Sequence, residues 1–307
     1  MTTVLYDIVI IGAGPAGLTA ALYARRTGKR VMLLEGNGYG GQITLSPRVE
    51  NYPGFTAISG SELADNLLAQ VLALETETDF KVVTKIAAEN GIYRVFCDDD
   101  SELTAKSVII AAGVQHRPLG VEREEDLIGS GISYCAVCDG AFFADMKVAV
   151  VGGGNTALQD AMLLAQSSET VYLIHRRNEF RGESRLVEKL REKENVVFVT
   201  PATVSTLHGE NALEAITLTH PQTGETQTLS VRGLFVAVGQ IPQNAAFADL
   251  VDLDESGYIL ADEAMATSAP GIFVAGDCRQ KQVRQLTTAV ADGAIAALSA
   301  CSYVDTL

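Results

Sequence analysis

Short apolar runs separated by glycine-rich turns set the pattern of this chain. In DIVIIGAGPAGLTAALYARRTGKRVMLLEG the run Ile8 to Ile11 predicts a strand, AGLTAALYARR has helical composition, and VMLLE is a second apolar run. Runs of that length bounded by turn residues suit buried parallel strands. The stretch is therefore a strand–helix–strand unit of about 30 residues, with its glycine turn between the first strand and the helix. KVAVVGGGNTALQDAMLLAQSSETVYLIHRR, Lys147 to Arg177, repeats the plan. Each unit is followed by mixed, strand-rich sequence and then by an apolar run ending in glycine. These are SVIIAAGVQHRP, Ser107 to Pro118, and GLFVAVGQIPQN, Gly233 to Asn244. One architecture is used twice. The runs ending at Gly113 and Gly239 mark crossings between domains. The closing stretch, APGIFVAGDCRQKQVRQLTTAVADGAIAALSA, predicts a strand, a turn and a helix near 284–300. It is too small to be a domain and completes the first one.

The turns are the informative part. Gly12, Gly14 and Gly17 fit G-x-G-x-x-G, with Pro15 and Ala16 inside the loop, and Gly152, Gly154 and Ala157 fit G-x-G-x-x-A. Such a pattern after a strand and before a helix lets the backbone approach a pyrophosphate at the helix N-terminus, where unpaired N–H groups and the dipole favour anions. The end of each second strand discriminates between nucleotides. Glu35 lies 23 residues beyond Gly12, and a carboxylate there accepts hydrogen bonds from a ribose 2′-OH. The same offset from Gly152 gives His175, followed by Arg176 and Arg177, with Arg181 a helical turn later. A carboxylate repels a 2′-phosphate, whereas guanidinium groups pair with it. The first site should hold an unphosphorylated adenosine ribose and the second an NADP-type ribose. Two dinucleotides on one chain imply electron transfer, and FAD with NADPH is the economical pairing. The predicted fold class is α/β, two Rossmann-like dinucleotide-binding domains, an FAD domain with an inserted NADPH domain. The FAD domain takes 1–116 and 244–307, and the NADPH domain takes 117–243.

Composition narrows the class further. A chain of 307 residues suits two domains, and an apolar fraction of 47% with 20% charged residues is an ordinary globular balance. The net charge of −15 disfavours non-specific binding to nucleic acid or anionic membranes. The N-terminus lacks a basic region ahead of its apolar run and reads as a first strand rather than a signal peptide. No apolar run reaches the ~18 residues of a membrane span. Five scattered cysteines do not make a secreted disulfide framework, so a cytoplasmic protein is expected.

Only one cysteine pair is close in sequence, Cys135 and Cys138 in SYCAVCDG, with Asp139 directly after. Such a pair can hold half a zinc site, close a structural disulfide or shuttle electrons. Zinc needs two further ligands, and the chain has neither a second C-x-x-C nor a spaced histidine pair, so no metal site is expected. A static disulfide is disfavoured in a cytoplasmic chain. A redox pair remains. A cysteine near a helix start has a stabilised thiolate, and Asp139 is placed to move protons to and from the sulfurs or a flavin, or else is a turn residue before Gly140. Cys97, Cys278 and Cys301 read as buried bystanders.

The ordered motifs GAGPAG, GGQI, VENYPGF, CAVCDG, GGGNTA, HRRNEFR, GIFVAGD and RQ resemble, over essentially the whole chain, the low-molecular-weight, bacterial-type thioredoxin reductases. CAVCDG just before the second glycine loop is the most specific element. The resemblance implies a homodimeric flavoprotein in which the NADPH domain carries the cysteine pair and swivels between two arrangements. It implies thioredoxin as the protein substrate, with Cys138 facing the flavin, Cys135 attacking the substrate disulfide and Asp139 as acid/base. It places Gly41, Gln42 and Asn51 along the FAD, Gly276 and Asp277 at the ribityl chain, Arg284 and Gln285 near the isoalloxazine, and Asn155 and Thr156 in the NADPH loop. Tyr52, Cys278 and the LSPR stretch at 45–48 depart from the family pattern.

Three rival functions share parts of this pattern. A flavoprotein of the same build could serve another carrier, such as a peroxiredoxin-linked or glutaredoxin-like protein. A ferredoxin-driven or oxygen-using relative would tend to lose the 2′-phosphate residues, which HRRNEFR retains. A non-catalytic NADPH sensor would not need the complete C-x-x-C.

Overall fold

The apolar runs of the sequence become the central strands of two separate sheets. The computed structural model describes residues 4–89 and 91–307. In chain order the elements are β1 (Leu5–Ile11), α1 (Pro15–Arg26), β2 (Val31–Glu35), α2 (Gly60–Leu72), β3 (Glu77–Phe80), β4 (Val83–Glu89), β5 (Ile92–Cys97), β6 (Glu102–Ile110), β7 (Val114–His116), β8 (Ile132–Ser133), α3 (Ala136–Asp139), β9 (Lys147–Val151), α4 (Asn155–Leu164), β10 (Thr170–Ile174), α5 (Ser184–Arg191), β11 (Val196–Val199), β12 (Thr203–His208), β13 (Ala215–Thr219), β14 (Thr226–Ser230), β15 (Gly233–Val236), β16 (Gln240–Pro242), β17 (Ile272–Val274) and α6 (Leu286–Asp305). The chain divides into a unit of Met1–Gln115 with Ile241–Leu307 and a unit of His116–Gln240. The crossings lie in the short strands β7 and β16.

The first unit is built on the order β3-β2-β1-β6-β5-β4, with β17 also paired to β6. Strands β3, β2, β1, β6 and β17 run parallel, and β5 and β4 turn back antiparallel. Both faces are covered, which is why β1 and β2 read as unbroken apolar runs rather than alternating ones. One face packs Ile8, Ile10 and Leu33 under the small residues Ala20, Ala21 and Ala24 of α1 and Ala296, Ala297 and Ala300 of α6. The other face buries Val9, Ile11, Val95 and Val274.

Helix α6 corrects one expectation. Its 20 residues are long and apolar enough to cross a membrane. It lies instead against α1, with Ala289, Gly293, Ala296, Ala300 and Val304 buried in the core. It also starts later than read from the sequence, because the side chains of Gln285 and Thr288 form a capping box that fixes the first turn at Leu286.

The second unit has an all-parallel sheet, β11-β10-β9-β15-β8, beside a three-stranded antiparallel sheet, β12-β13-β14. Helix α4 connects β9 to β10 and packs Ala157, Leu158, Ala161 and Leu164 onto Val148, Val150 and Leu173. The opposite face joins Ala149, Ile174 and Leu234 to Ile216, Leu218 and Leu229 of the small sheet.

Candidate active site

The cysteine pair sits in the second unit, where β8 ends and the short helix α3 begins. Cys135 and Cys138 are disulfide-bonded, with Cα atoms 5.3 Å apart. Cys135 is the N-cap of α3, and its Sγ accepts a hydrogen bond from the Cys138 N–H at 3.2 Å. This is the only disulfide among the described residues, and Cys97, Cys278 and Cys301 are free and buried. Among those residues no group of side chains could hold a metal ion. Val137, between the two cysteines, is 58% exposed, while Cys135 and Cys138 themselves are half-buried.

Asp139 ends α3. Its Oδ2 accepts a hydrogen bond from Ser133 Oγ at 2.6 Å, while its Oδ1 is buried with no partner. Burial pushes the carboxyl above the ordinary aspartate range, against the pull of the Ser133 bond. A carboxyl whose proton affinity is raised by burial, next in sequence to Cys138, can both give and take a proton. The hydroxyl of Tyr134, the residue before Cys135, donates to Glu124 Oε1 at 2.8 Å, and the Tyr134 ring stacks on His116 at 4.5 Å. Buried Glu124 also accepts the N–H groups of Leu119 and Gly120, each at 2.9 Å. Burial lowers His116 to about 4, so its ring is neutral at physiological pH.

The glycine loop of the first unit gathers residues distant in sequence. Gly12 has φ of +100°, and a Cβ there would strike the Ala111 carbonyl. Pro15 opens α1 with Gly14 as N-cap. The Ala13 carbonyl accepts the Gly40 N–H at 2.8 Å, and Gly41 lies against the Gly14 Cα. Glu35, at the end of β2, takes the Ala13 N–H on Oε2 at 2.7 Å and the Asn37 N–H on Oε1 at 2.8 Å. It thus braces the loop from the position expected to read a ribose. Gln42 donates to the Val114 carbonyl, and the Asn51 side chain approaches Gln285 Oε1 at 3.4 Å.

The turn after β17 joins the same region, with Gly276 directly against Ala16. Asp277 is held above the usual carboxylate range by burial, opposed by Lys281, whose Nζ is 3.3 Å from its Oδ1. That oxygen is buried without a hydrogen bond. Arg284 lies over the Tyr258 ring at 4.1 Å and donates to the Asp277 carbonyl at 3.2 Å. Beneath the turn, Asp292 of α6 accepts from the Gly276 N–H, from Arg279 and from Lys281. Sequence reasoning missed this cluster, because its members fall on a turn and a helix with no motif to link them. A glycine cradle, a helix N-terminus and the Asp277 carboxyl, its buried Oδ1 paired with Lys281, fit a dinucleotide with a polyhydroxylated chain.

In the second unit Gly152 and Gly154 lead into α4, which begins at Asn155 and Thr156. The segment carrying the arginines is pinned to this loop. The Arg181 and Gly182 N–H groups donate to the Gly153 carbonyl at 2.7 and 3.0 Å, and Glu183 N–H donates to Asn155 Oδ1 at 2.8 Å. Arg176, Arg177 and Arg181 are exposed. His175 stands apart from them. It is 6% exposed, with burial lowering its pKa, so its ring is neutral. The ring stacks on Phe180 at 5.2 Å and fills the space where a Cβ of Gly153 would lie. The charge available to a phosphate therefore belongs to the three arginines. An exposed guanidinium trio tethered to a helix-opening glycine loop fits a phosphorylated nucleotide.

Two nucleotide loops and a C-x-x-C disulfide define a class. The chain belongs to the pyridine nucleotide-disulphide oxidoreductase family, whose sequence model matches residues 6–293. Within it the chain falls among the bacterial-type thioredoxin reductases, flavoprotein oxidoreductases that use FAD and NADPH. A thioredoxin reductase of Mycoplasma genitalium is 42% identical over 296 residues, covering 96% of this chain and 94% of the relative. One of Treponema pallidum is 39% identical, covering 98% of both. The crystal structure of thioredoxin reductase from Streptococcus pyogenes superposes with a TM-score of 0.95 at 39% identity and covers all of both chains.

Proposed function

We propose that this chain reduces the disulfide of thioredoxin with electrons from NADPH, and that they leave through Cys135 and Cys138. The observation that carries this reading is the half-buried bonded pair in the unit that also bears the arginine-flanked loop, with Asp139 directly after it and its Oδ1 buried. Bound FAD supplies the two-electron chemistry between nicotinamide and disulfide. Gly12, Gly14, Pro15, Ala16, Gly17 and Glu35 shape its pyrophosphate and ribose site, Gly41, Gln42 and Asn51 flank it, and Gly276, Asp277, Arg284 and Gln285 close it. Gly152, Gly154, Asn155 and Thr156 seat the NADPH pyrophosphate, and Arg176, Arg177 and Arg181 pair with the 2′-phosphate, with His175 as their buried support.

Once the pair is reduced, the Cys135 thiolate attacks the thioredoxin disulfide and forms a mixed disulfide. Cys138 then attacks Cys135 and releases the dithiol. Asp139 carries the protons that these exchanges require. We also propose a cytoplasmic homodimer without membrane attachment; the apolar side chains of Ile295 and Leu298, exposed on α6, are available to an assembly contact.

Anaerobic titration of the holoprotein with NADPH and separately with NADH, followed by oxidised thioredoxin, tests this function. NADPH should reduce the flavin at far lower concentration than NADH, and thioredoxin should reoxidise it. Failure of thioredoxin to reoxidise the reduced protein would overturn the substrate assignment.

A further inference from the structure

Ser133 is a buried hydroxyl that no motif singles out. It is 5% exposed at the end of β8, and its Oγ has three polar neighbours. It donates to Asp139 Oδ2 at 2.6 Å and accepts the Cys135 N–H at 3.0 Å. The Cys135 carbonyl is a second acceptor at 3.3 Å. A hydroxyl has one proton to donate, so these two acceptors are alternatives. Asp139 has one oxygen held by Ser133 and the other buried and unpartnered. We infer that Ser133 is the positioning residue of the proton-transfer site: its hydroxyl holds Oδ2 while Asp139 is ionised, turns to the Cys135 carbonyl when Asp139 is protonated, and leaves Oδ1 to exchange the proton with sulfur.

The exchange balances. The Cys135 thiolate attacks the substrate disulfide and displaces one substrate thiolate. Cys138 gives its proton to the Asp139 carboxylate, and its sulfur attacks Cys135, displacing the second substrate thiolate. Asp139 returns the proton to a departing sulfur. Two electrons pass from the cysteine pair to the substrate, and no other redox agent is needed.

Among the described residues no ion pair involves Asp139. Burial and the Ser133 bond are the causes that set the Asp139 pKa. The other titratable groups on α3 or flanking it are the two cysteines. Helix α4, packed on α3, contributes Asp160, itself pushed up to about 6 by burial. Tyr134 turns its hydroxyl away to Glu124.

The inference rests on Asp139 being the acid/base, and the test separates the two. The reoxidation rate of reduced holoenzyme by thioredoxin is measured against pH for the unmodified protein and for Ser133→Ala, Ser133→Thr and Asp139→Asn. Loss of a hydrogen bond to an ionised carboxylate raises the carboxyl pKa. The limb that depends on ionised Asp139 should therefore move up by about one to two pH units in Ser133→Ala. Ser133→Thr, which keeps the hydroxyl, should return it to within about half a unit. A general loss of packing would lower the rate without moving the limb. Carboxyl 13C NMR on aspartate-labelled oxidised holoenzyme should show the Asp139 titration moving by the same amount. Should Ser133→Ala not fold, Ser133→Cys, a weaker donor of similar size, carries the same comparison. A slow Asp139→Asn variant with an unmoved Ser133 limb and titration overturns the Ser133 role alone. A fully active Asp139→Asn variant overturns the Asp139 role and the inference with it.

Discussion

Replacing Asp292 by Asn should loosen the turn that closes the proposed FAD site. The Asp292 carboxylate, 6% exposed, lies 2.9 Å from Arg279 Nε and 3.0 Å from Lys281 Nζ. It also takes the Gly276 N–H at 3.1 Å and Arg279 Nη2 at 3.2 Å. Lys281 is 7% exposed, so neutralising Asp292 strands its ammonium with only Asp277, 3.3 Å away, as counter-charge. Breaking a buried pair by removing one partner costs about 3–5 kcal/mol, and the remaining Asp277 contact puts this case near the lower end. A loss of about 3 kcal/mol lowers Tm by roughly 6–12 °C for a unit of this size. Asn keeps one oxygen for the Gly276 N–H but sets an NH2 group against the Arg279 and Lys281 donors, so the turn loosens and FAD affinity should also fall, by about tenfold if one net hydrogen bond's worth of binding is lost. The assay is thermal unfolding of the apoprotein, with FAD affinity taken from quenching of flavin fluorescence. Measuring the apoprotein separates intrinsic stability from stabilisation by the ligand. An Asp292→Asn protein within 2 °C of the parent (about 1 kcal/mol) and with unchanged FAD affinity would refute the role given to this cluster.

Neutralising Arg176 and Arg177 together should cut the preference for NADPH over NADH by one to a few powers of ten, mostly through KM, at about 1.5–3 kcal/mol for each charge-assisted bond lost; equal KM values in the unmodified enzyme would contradict it. Gly153→Ala should weaken NADP+ binding by driving a methyl into the His175 ring, and adding His175→Ala should recover part of the loss, as read by calorimetry. Replacing His175 alone by Phe should leave the NADPH preference in place. His116, lowered from 6.5 to about 4 by burial, stays neutral in the folded chain where the unfolded chain is protonated. Unfolding therefore takes up a proton between these values, and stability should fall as pH drops from 6.5 towards 4. His116→Gln should flatten that slope in denaturant titrations at stepped pH.

Much of the fold was legible because buried parallel strands announce themselves as unbroken apolar runs. Ile8–Ile11, VMLLE and the repeat after Lys147 became β1, β2, β9 and β10, with helices α1 and α4 between them. The cysteine pair and the glycine loops were legible because their chemistry is local in sequence. Long-range partnerships were not. Ser133 lies two residues before Cys135, yet nothing in the sequence says that its hydroxyl turns back onto Asp139. The grouping of Asp292, Lys281 and Arg279 depends on how α6 docks under the turn at Gly276. His175 adjoins two arginines in sequence, but it follows β10 on the inward side and is buried while they are exposed. No apolar run of span length stands out in the sequence, although α6 is long and apolar enough for one; its alanine-lined contact with α1 shows why it is apolar.

The central claim is that Cys135 and Cys138 carry the electrons. Its most direct test is NADPH-dependent thioredoxin reduction by purified Cys135→Ser and Cys138→Ser proteins, each with its FAD content verified. Both should bind FAD and accept electrons from NADPH, and both should lose thioredoxin reduction. Near-normal activity in either variant would show that the pair is structural and contradict the claim.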